Sequence, residues 1–189
     1  MNSPRSLEFA PPDVPLREDV RRLGALVGAA ARADAYADEL RLGLDRVACE
    51  AEALPCRPRV YFEEWDEPQI SGIRWVAELL RIAGGDDVFP ELAAEPLAKQ
   101  RILADPAEVV RRAPDIIVGS WCGKKFRPEK VAARPGWDAI PAVRDGELHE
   151  VKSPLILQPG PAALTDGVQA LAAIVHGWSR RQAEAPGRG

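Results

Sequence analysis

The run Ile116-Ile117-Val118, between Pro114 and Gly119, limits the folds open to this chain more than any other feature of the sequence. An uninterrupted apolar run of this length is typical of a strand that is buried on both faces, as strands are in parallel sheets. Consecutive parallel strands need a crossover connection, which is usually a helix. The chain should therefore contain an α/β unit with a largely parallel sheet.

The segments around this strand alternate between strand and helix patterns. Strands are predicted at residues 59–65, which are rich in β-branched and aromatic side chains, and after the Asp145-Gly146 turn. Sequence patterns predict helices at residues 73–83, 106–113, 128–133 and 161–178. The pair Asp105-Pro106 supports the second helix, because Asp is a favoured N-cap and Pro fits the first helical turn.

The part of the chain before Pro58 has a different pattern. From Leu16 to Val47, apolar residues recur at steps of three and four, which predicts one long amphipathic helix that bends near Gly24 and Gly28. Its alanine-rich middle suits close packing against another domain. The expected fold is a long N-terminal linker helix followed by one α/β lobe with a largely parallel sheet. The predicted divisions are an irregular lead-in at 1–15, the linking helix at 16–54, the lobe at 58–180 and a frayed tail at 181–189.

Charge and composition exclude several classes of protein. The net charge of −4 argues against a nucleic-acid-binding protein, which would need a clustered basic excess. No apolar run approaches the roughly 18 residues that a membrane span needs. No apolar segment follows Arg5, so the first residues are not expected to be a signal peptide, and the chain as written would stay in the cytoplasm. Cys49, Cys56 and Cys122 lack the spacing of a metal site and are expected to be free thiols.

Three loops leave the predicted carboxyl ends of the strands, where α/β sheets hold their ligands. These loops follow Glu64, Val118 and Val151 in the sequence. They carry Trp65, Trp121 and Phe126, which predict an exposed aromatic surface, although each ring could instead pack beneath its own loop. The acids around the first strand end could bind a metal but are more often solvated: Glu63, Glu64, Asp66 and Glu67.

Several stretches form an ordered pattern over most of residues 16–178. In chain order they are Pro58-Arg59-Val60-Tyr61-Phe62-Glu63-Glu64-Trp65, Ser71-Gly72 with a helix ending at Ala83-Gly84-Gly85, Asp105-Pro106 with its helix, Ala113-Pro114-Asp115-Ile116-Ile117-Val118, and Arg134-Pro135-Gly136-Trp137-Asp138. This order resembles the cobalamin and iron-siderophore periplasmic substrate-binding proteins of ABC importers, in which one long helix joins two α/β lobes. The Trp65-Asp66-Glu67-Pro68 and Gly119-Ser120-Trp121-Cys122-Gly123 segments are most similar to cobalamin-binding members.

The resemblance implies a substrate-binding component of an ABC importer, without enzymatic activity and with no cofactor. It implies a periplasmic location, an ABC transporter permease as partner and cobalamin or a related corrinoid as ligand; an iron-siderophore or haem ligand is the alternative. The match covers a linker helix and a C-terminal lobe only, so the chain is expected to lack the N-terminal lobe. The linking helix should then expose an apolar surface and promote self-association.

The resemblance also implies which residues bind the ligand. Apolar contact area is expected from Trp65, Ile70, Trp121 and Phe126, and hydrogen bonds from Ser71, Ser120, Lys124 and Gln158. An anionic siderophore would favour converging arginines, of which the loops hold only Arg127, so cobalamin is preferred. The resemblance further implies a surface acid that docks on the transporter, with Glu108 as the candidate and Ala107 as the alternative equivalent position. The ordinary interpretation of Glu108 is an acid favoured by a helix N-terminus.

Two other classes of function remain to be weighed. A cysteine-dependent enzyme could use Cys122 with Lys124, His149 or His176, although a shared site for these residues requires contacts that the predicted elements do not favour. A structural domain that dimerises through the long helix is the third possibility. Retention of a corrinoid's visible absorbance through gel filtration would distinguish a binding protein from a structural one.

Overall fold

The computed structural model describes residues 15–184, and its centre is a parallel pair of strands. Strand β1 (Arg59–Asp66) pairs with β4 (Ile116–Gly119), so that Val60 lies opposite Ile116 and Glu63 opposite Gly119. Strand β5 (Leu148–Glu150) extends the sheet beyond β4, again in parallel. All four residues of β4 are buried, which confirms the strand predicted from its apolar run.

The opposite edge of β1 is shared by two short strands. Near its start, β1 pairs in parallel with β3 (Asp86–Asp87), and at its end it forms an antiparallel hairpin with β2 (Gln69–Ser71). The sheet is therefore largely parallel, as predicted, with one antiparallel strand beside the carboxyl end of β1.

Helices cover both faces of the sheet. The helices are α1 (Pro15–Leu26), α2 (Ala30–Glu52), α3 (Arg74–Ile82), α4 (Pro90–Ala93), α5 (Ala107–Arg112), α6 (Pro128–Ala132), α7 (Pro141–Arg144), α8 (Ser153–Ile156) and α9 (Val168–Glu184). One core packs α2, α3 and α9 on the face that carries Phe62 and Val118. The other packs α5, α6 and α7 on the face that carries Tyr61 and Ile117. The predicted α/β class is thus confirmed.

The prediction of a single long helix over residues 16–54 is wrong, because the chain reverses between α1 and α2. Gly28 has a φ of +71°, a left-handed conformation that ends the first helix. A Cβ atom on Gly24 would lie 2.1 Å from the Cβ of Ala33, and Arg21 bonds Asp38 at 3.1 Å. The pair Arg21 and Asp38 lies farther from the turn, in both helices, than the pair Gly24 and Ala33. Helices α1 and α2 are therefore antiparallel and form a hairpin.

The final helix also departs from its prediction. A π-helical turn at Ala163–Gly167 precedes α9, and α9 continues to Glu184, beyond the predicted start of the frayed tail. The rest of that tail and almost all of the predicted lead-in lie outside the described residues. No helix within residues 15–184 has both the length and the apolar composition needed to cross a bilayer.

The tip of the helical hairpin presents apolar side chains to solvent. Leu23 is 62% exposed, Leu26 82% and Val27 76%. Exposed apolar groups of this kind cost free energy in water and favour association with another surface. The apolar surface predicted for the linking helix is therefore located at the turn between α1 and α2.

We expect the chain to self-associate through this hairpin tip, and the double substitution Leu26→Lys with Val27→Lys to reduce that association. Sedimentation velocity over a range of protein concentrations measures the effect. Leu97→Lys, which adds a charge at a 52% exposed leucine elsewhere, is the control and should leave association unchanged. A wild-type chain that stays monomeric at high concentration would contradict the prediction.

Asp87 should make stability depend on pH. Burial raises the pKa of this carboxyl from 3.8 to about 6, against the hydrogen bond that it accepts from the backbone N–H of Phe89. The folded state therefore binds the proton more tightly than the unfolded state. The contribution of this group to stability is present below pH 4 and is lost as the pH rises through 6.

We expect Asp87→Asn to raise the free energy of unfolding at pH 7.5 by about 2–3 kcal/mol, because the amide avoids a buried charge. The difference from wild type should shrink as the pH falls towards 4. Urea denaturation at several pH values measures both effects. The control is Asp86→Asn, at an exposed acid that pairs with Arg57. If the gain in the free energy of unfolding did not vary with pH, Asp87 would not be the group whose raised pKa lowers stability at neutral pH.

Candidate ligand-binding rim

The carboxyl ends of the three parallel strands lie side by side. Glu63 is opposite Gly119, and Gly119 is opposite Glu150, so the loops that follow β1, β4 and β5 leave from one edge of the sheet. We call these loops the rim and define it as residues 65–71, 120–127 and 150–153. The sequence prediction that the three loops share one edge is confirmed.

The most accessible aromatic group on the rim is Trp65, which is half-buried. Its indole N–H donates to the carbonyl of Glu67 at 2.8 Å, and its backbone pairs with Ile70 in the β1–β2 hairpin. The ammonium of Lys124 lies 4.1 Å from the centre of the Trp65 ring and forms an ion pair with Asp66. The first and second rim loops therefore meet through a cation on an aromatic face.

The expectation that Trp121 and Phe126 form an exposed aromatic surface is wrong, since both are buried. Trp121 is 3% exposed, and its ring meets that of Phe126 edge-on at a centroid distance of 5.0 Å. Phe126 occupies the space above Gly119, where an added Cβ would lie 1.9 Å from the Phe126 ring. The missing side chain at the end of β4 thus lets the second loop fold its aromatic residues into the core.

The partner that holds Trp121 down is Glu63, one of the acids that the sequence suggested were solvated. Glu63 is fully buried, and its Oε1 accepts a hydrogen bond from the Trp121 indole N–H at 2.9 Å. Arg134 donates to both carboxylate oxygens, at 2.6 and 2.9 Å. Asp66 is also buried, so two of the four acids near the end of β1 lie inside the protein. Arg134 was not predicted, since nothing in its local sequence indicates a partner 71 residues away.

The two serines proposed as hydrogen-bonding residues are also buried. The Ser71 hydroxyl donates to the carbonyl of Arg101 at 3.4 Å, so it is occupied. The Ser120 hydroxyl has no hydrogen-bond partner among the described residues, while its backbone N–H donates to the Glu63 carbonyl. Contact of either hydroxyl with a ligand would require the loops above it to move.

Gln158 is exposed and follows helix α8, outside the rim as defined above. Its neighbours Pro159 and Pro161 face Val20 and Leu23 of α1 across a cavity of about 430 Å³. The structure therefore brings together Trp65, Ile70, Lys124, Trp121 and Phe126, and Gln158 has no contact with them among those that the structure shows for the described residues.

A buried arginine below the rim was not predicted. Arg101 is 1% exposed and donates to Glu64 at 2.9 Å, while its Nε and Nη1 have no partner in the described part of the chain. Burial raises the pKa of Glu64, and the charge of Arg101 partly opposes this shift. A single arginine in an irregular segment carries no periodic signal, so the sequence could not place it in the interior.

Two further cations of the rim are paired with carboxylates, and a third, Lys125, is exposed and helps to lower the pKa of the nearby carboxyls of Glu129 and Glu150. Lys152 pairs with Glu150 at 2.9 Å, and Arg127 pairs with Glu129 at 2.8 Å. Together with the Lys124–Asp66 pair, these contacts leave the rim close to electrical balance. The surface consequently lacks the concentrated positive potential that selects anionic ligands.

Glu108 lies on α5, where its carboxylate bonds Arg112 at 2.9 Å and Arg111 at 2.7 Å. These hydrogen bonds hold the pKa of Glu108 below its usual range. Asp105 accepts from the backbone N–H of Ala107, as the predicted cap requires. Glu108 thus stays ionised, and it shares its charge with two arginines of its own helix.

The residues considered for a cysteine-dependent enzyme are not brought together. Cys122 is exposed on the rim, and no hydrogen bond joins it to either histidine within residues 15–184. His149 bonds Glu147 at 2.8 Å, and His176 lies on α9. All three cysteines are free, as predicted, and no cluster of three or more acids, cysteines or histidines in the described chain could hold a metal ion.

Because Trp121 is buried, we expect Trp121→Ala to lower the free energy of unfolding by about 3–5 kcal/mol. The substitution removes a packed indole and one hydrogen-bond donor to a buried carboxylate. The matched control is Trp65→Ala, which removes a half-exposed indole and should cost less than about 1.5 kcal/mol. Urea denaturation measures both values, and equal losses would contradict the contrast in burial.

Comparison with solved structures places this fold among known proteins. A periplasmic binding protein from Veillonella parvula is 23% identical, with a TM-score of 0.71; the match covers 86% of this chain and 56% of that protein. The S. aureus protein IsdE, solved with heme, is 17% identical (TM-score 0.69; 85% and 64% covered). The periplasmic vitamin B12 binding protein BtuF of Vibrio cholerae is 17% identical (TM-score 0.64; 87% and 63% covered).

The chain spans less than two thirds of the length of each of these three structures, and identities this low establish the fold alone. Comparison with curated protein sequences gave no match. A family model described as "Periplasmic binding protein" matches residues 6–155, which is most of the chain. The chain therefore belongs to the periplasmic binding protein family.

Proposed function

We propose that this chain is a ligand-binding lobe of the substrate-binding component of an ABC-type importer, located in the periplasm. The observation that carries the proposal is the rim itself. In a fold shared with solute-binding proteins, the loops at the carboxyl edge of the sheet bring Trp65 and Lys124 together at the surface. α/β sheets commonly hold their ligands at this edge.

We propose cobalamin or a related corrinoid as the ligand. A corrinoid presents a broad flat ring with amide arms, which suits an aromatic contact and hydrogen bonds on a surface of balanced charge. The ion pairs of Lys124, Lys152 and Arg127 support this choice, because an anionic ligand would have to compete with carboxylates already in place. One structural neighbour is named as a vitamin B12 binding protein.

A haem or ferric siderophore is the second candidate. Its support comes from a neighbour solved with heme and from the Lys124 ammonium, which lies between Trp65 and Trp121 at 4.1 and 5.2 Å from their ring centres. A carboxylate on a haem or siderophore could replace Asp66 as the partner of this ammonium. The same rim would then bind the ligand through the aromatic face and one anionic arm.

We propose further that Glu108 contributes to docking on the ABC transporter permease. Its carboxylate stays ionised on a short helix beside Arg111 and Arg112, so docking would exchange these partners for basic groups of the permease. Glu108→Gln should weaken stimulation of the transporter's ATPase without affecting ligand binding. An unchanged stimulation would remove Glu108 from the interface.

The proposed ligand face can be tested by titration with cyanocobalamin and, separately, with haemin and a ferric hydroxamate. We expect Trp65→Ala to weaken cyanocobalamin binding by about 5- to 150-fold, the range for loss of an aromatic anchor worth about 1–3 kcal/mol. Retention of visible absorbance through gel filtration and quenching of tryptophan fluorescence measure binding. Preference for haemin or the hydroxamate would select the second candidate.

The matched control for Trp65→Ala is Tyr36→Ala. Tyr36 is an aromatic residue that is 39% exposed on α2, outside the rim, so its loss should leave the affinity unchanged. Equal effects of the two substitutions would place the ligand elsewhere. Failure of the wild-type chain to retain any of the three ligands would contradict the proposed function for this chain alone.

A further inference from the structure

Beneath the rim loop at residues 120–127 lies a cluster of hydrogen-bonded polar and aromatic side chains. At the centre of this cluster is Glu63, whose side chain has no exposed surface. It accepts hydrogen bonds from the Tyr61 hydroxyl at 3.1 Å, the Trp121 indole at 2.9 Å and the two Nη atoms of Arg134. The carboxylate is therefore satisfied on both oxygens and carries its charge opposite a guanidinium.

The donors to this carboxylate come from three separate parts of the chain. Tyr61 belongs to β1, the same strand as Glu63, whereas Trp121 belongs to the rim loop and Arg134 follows α6. The guanidinium of Arg134 also lies 4.4 Å above the ring of Trp137. One carboxylate thus connects the rim loop and the segment after α6 to the central strand.

The rim loop is attached to the rest of the protein at a small number of points, which include the buried ring of Phe126 and the ion pair between Lys124 and Asp66. The Ser120 N–H donates to the Glu63 carbonyl at 2.8 Å, and the Phe126 N–H donates to Glu150 at 3.1 Å, so backbone bonds hold its two ends. Between these ends, the link from the Trp121 indole to Glu63 anchors the loop to the core. Lys124 follows three residues later and reaches the Trp65 ring.

A buried ion pair is a poor way to gain stability alone, because desolvation offsets much of its attraction and apolar residues often serve as well. Its advantage is directional, since a bidentate guanidinium–carboxylate pair fixes the position of both groups. We propose that Glu63 and Arg134 form a positioning pair, which holds Trp121 and thereby sets the position of Lys124 against Trp65. The relevance of this position to ligand binding rests on the proposed function.

Hydrogen exchange followed by mass spectrometry tests the positioning role without any ligand. In Glu63→Gln, amide exchange in peptides from residues 120–127 should be at least about tenfold faster, with no comparable change in β4 or α9. Tyr61→Phe is the matched control, because it removes a buried hydrogen bond to the same carboxylate from within β1. It should leave exchange in the rim loop within about twofold of wild type.

A second variant covers the case in which Glu63→Gln does not fold. Trp121→Phe keeps an aromatic ring in the core but removes the indole N–H that bonds Glu63, together with part of the ring, so it should accelerate exchange in the same peptides. The inference is overturned if exchange rises equally throughout the chain, if it does not change in the rim loop, or if Tyr61→Phe has the same effect as Glu63→Gln. The first result would mean that the pair only maintains the fold.

Ligand titration adds a separate measurement. Where wild type binds cyanocobalamin or haemin, Glu63→Gln should weaken binding at least about fivefold while Tyr61→Phe does not. Unchanged affinity despite a loosened loop would overturn the functional part of the inference. If wild type binds neither probe, the proposed function fails, and the exchange rates still decide whether Glu63 positions the loop.

Discussion

The pairing of β1 with β4 between two layers of helices is the constraint on which the rest of this structure depends. Both strands are buried on both faces, so every inward side chain must find an apolar neighbour or a hydrogen-bond partner. The parallel direction of the pair then brings the loops after Asp66 and Gly119 to one edge. The location of the rim is a consequence of strand direction and burial, whichever residues its loops carry.

Burial of β1 on both faces also explains why the carboxylate of Glu63 gathers hydrogen-bond donors from several parts of the chain. Glu63 faces the aromatic core, where an unpaired carboxylate would be strongly destabilising. The chain neutralises it with Arg134 and supplies further donors from Tyr61 and Trp121. The Trp121 indole of the rim loop is thus bonded inside the protein, whereas Lys124 is exposed and Trp65 is half-buried at the surface.

Elements that depend on the local periodicity of apolar residues were predicted correctly from the sequence. Features that depend on contacts between residues far apart in the chain were not. The apolar run of β4 and the spacing within α3 located these elements correctly. The hairpin of α1 and α2 was missed, because a helical pattern continues across Gly28 and only close packing at Gly24 shows the reversal. The sequence placed Trp121 at the surface, because its hydrogen-bond partner Glu63 lies 58 residues away. In the sequence Glu63 stands beside other acids and resembles a solvated residue.

A single rim can cover only one side of a flat ligand. Sites for small molecules usually bury most of the ligand surface, yet here the accessible aromatic contact is Trp65, because Trp121 and Phe126 are packed beneath their loop. A macrocycle resting on Trp65 and Lys124 would leave its other face in water. Tight binding under the proposed function therefore requires a second surface opposite the rim, and a firmly positioned loop would reduce the entropy lost when the two surfaces close on the ligand.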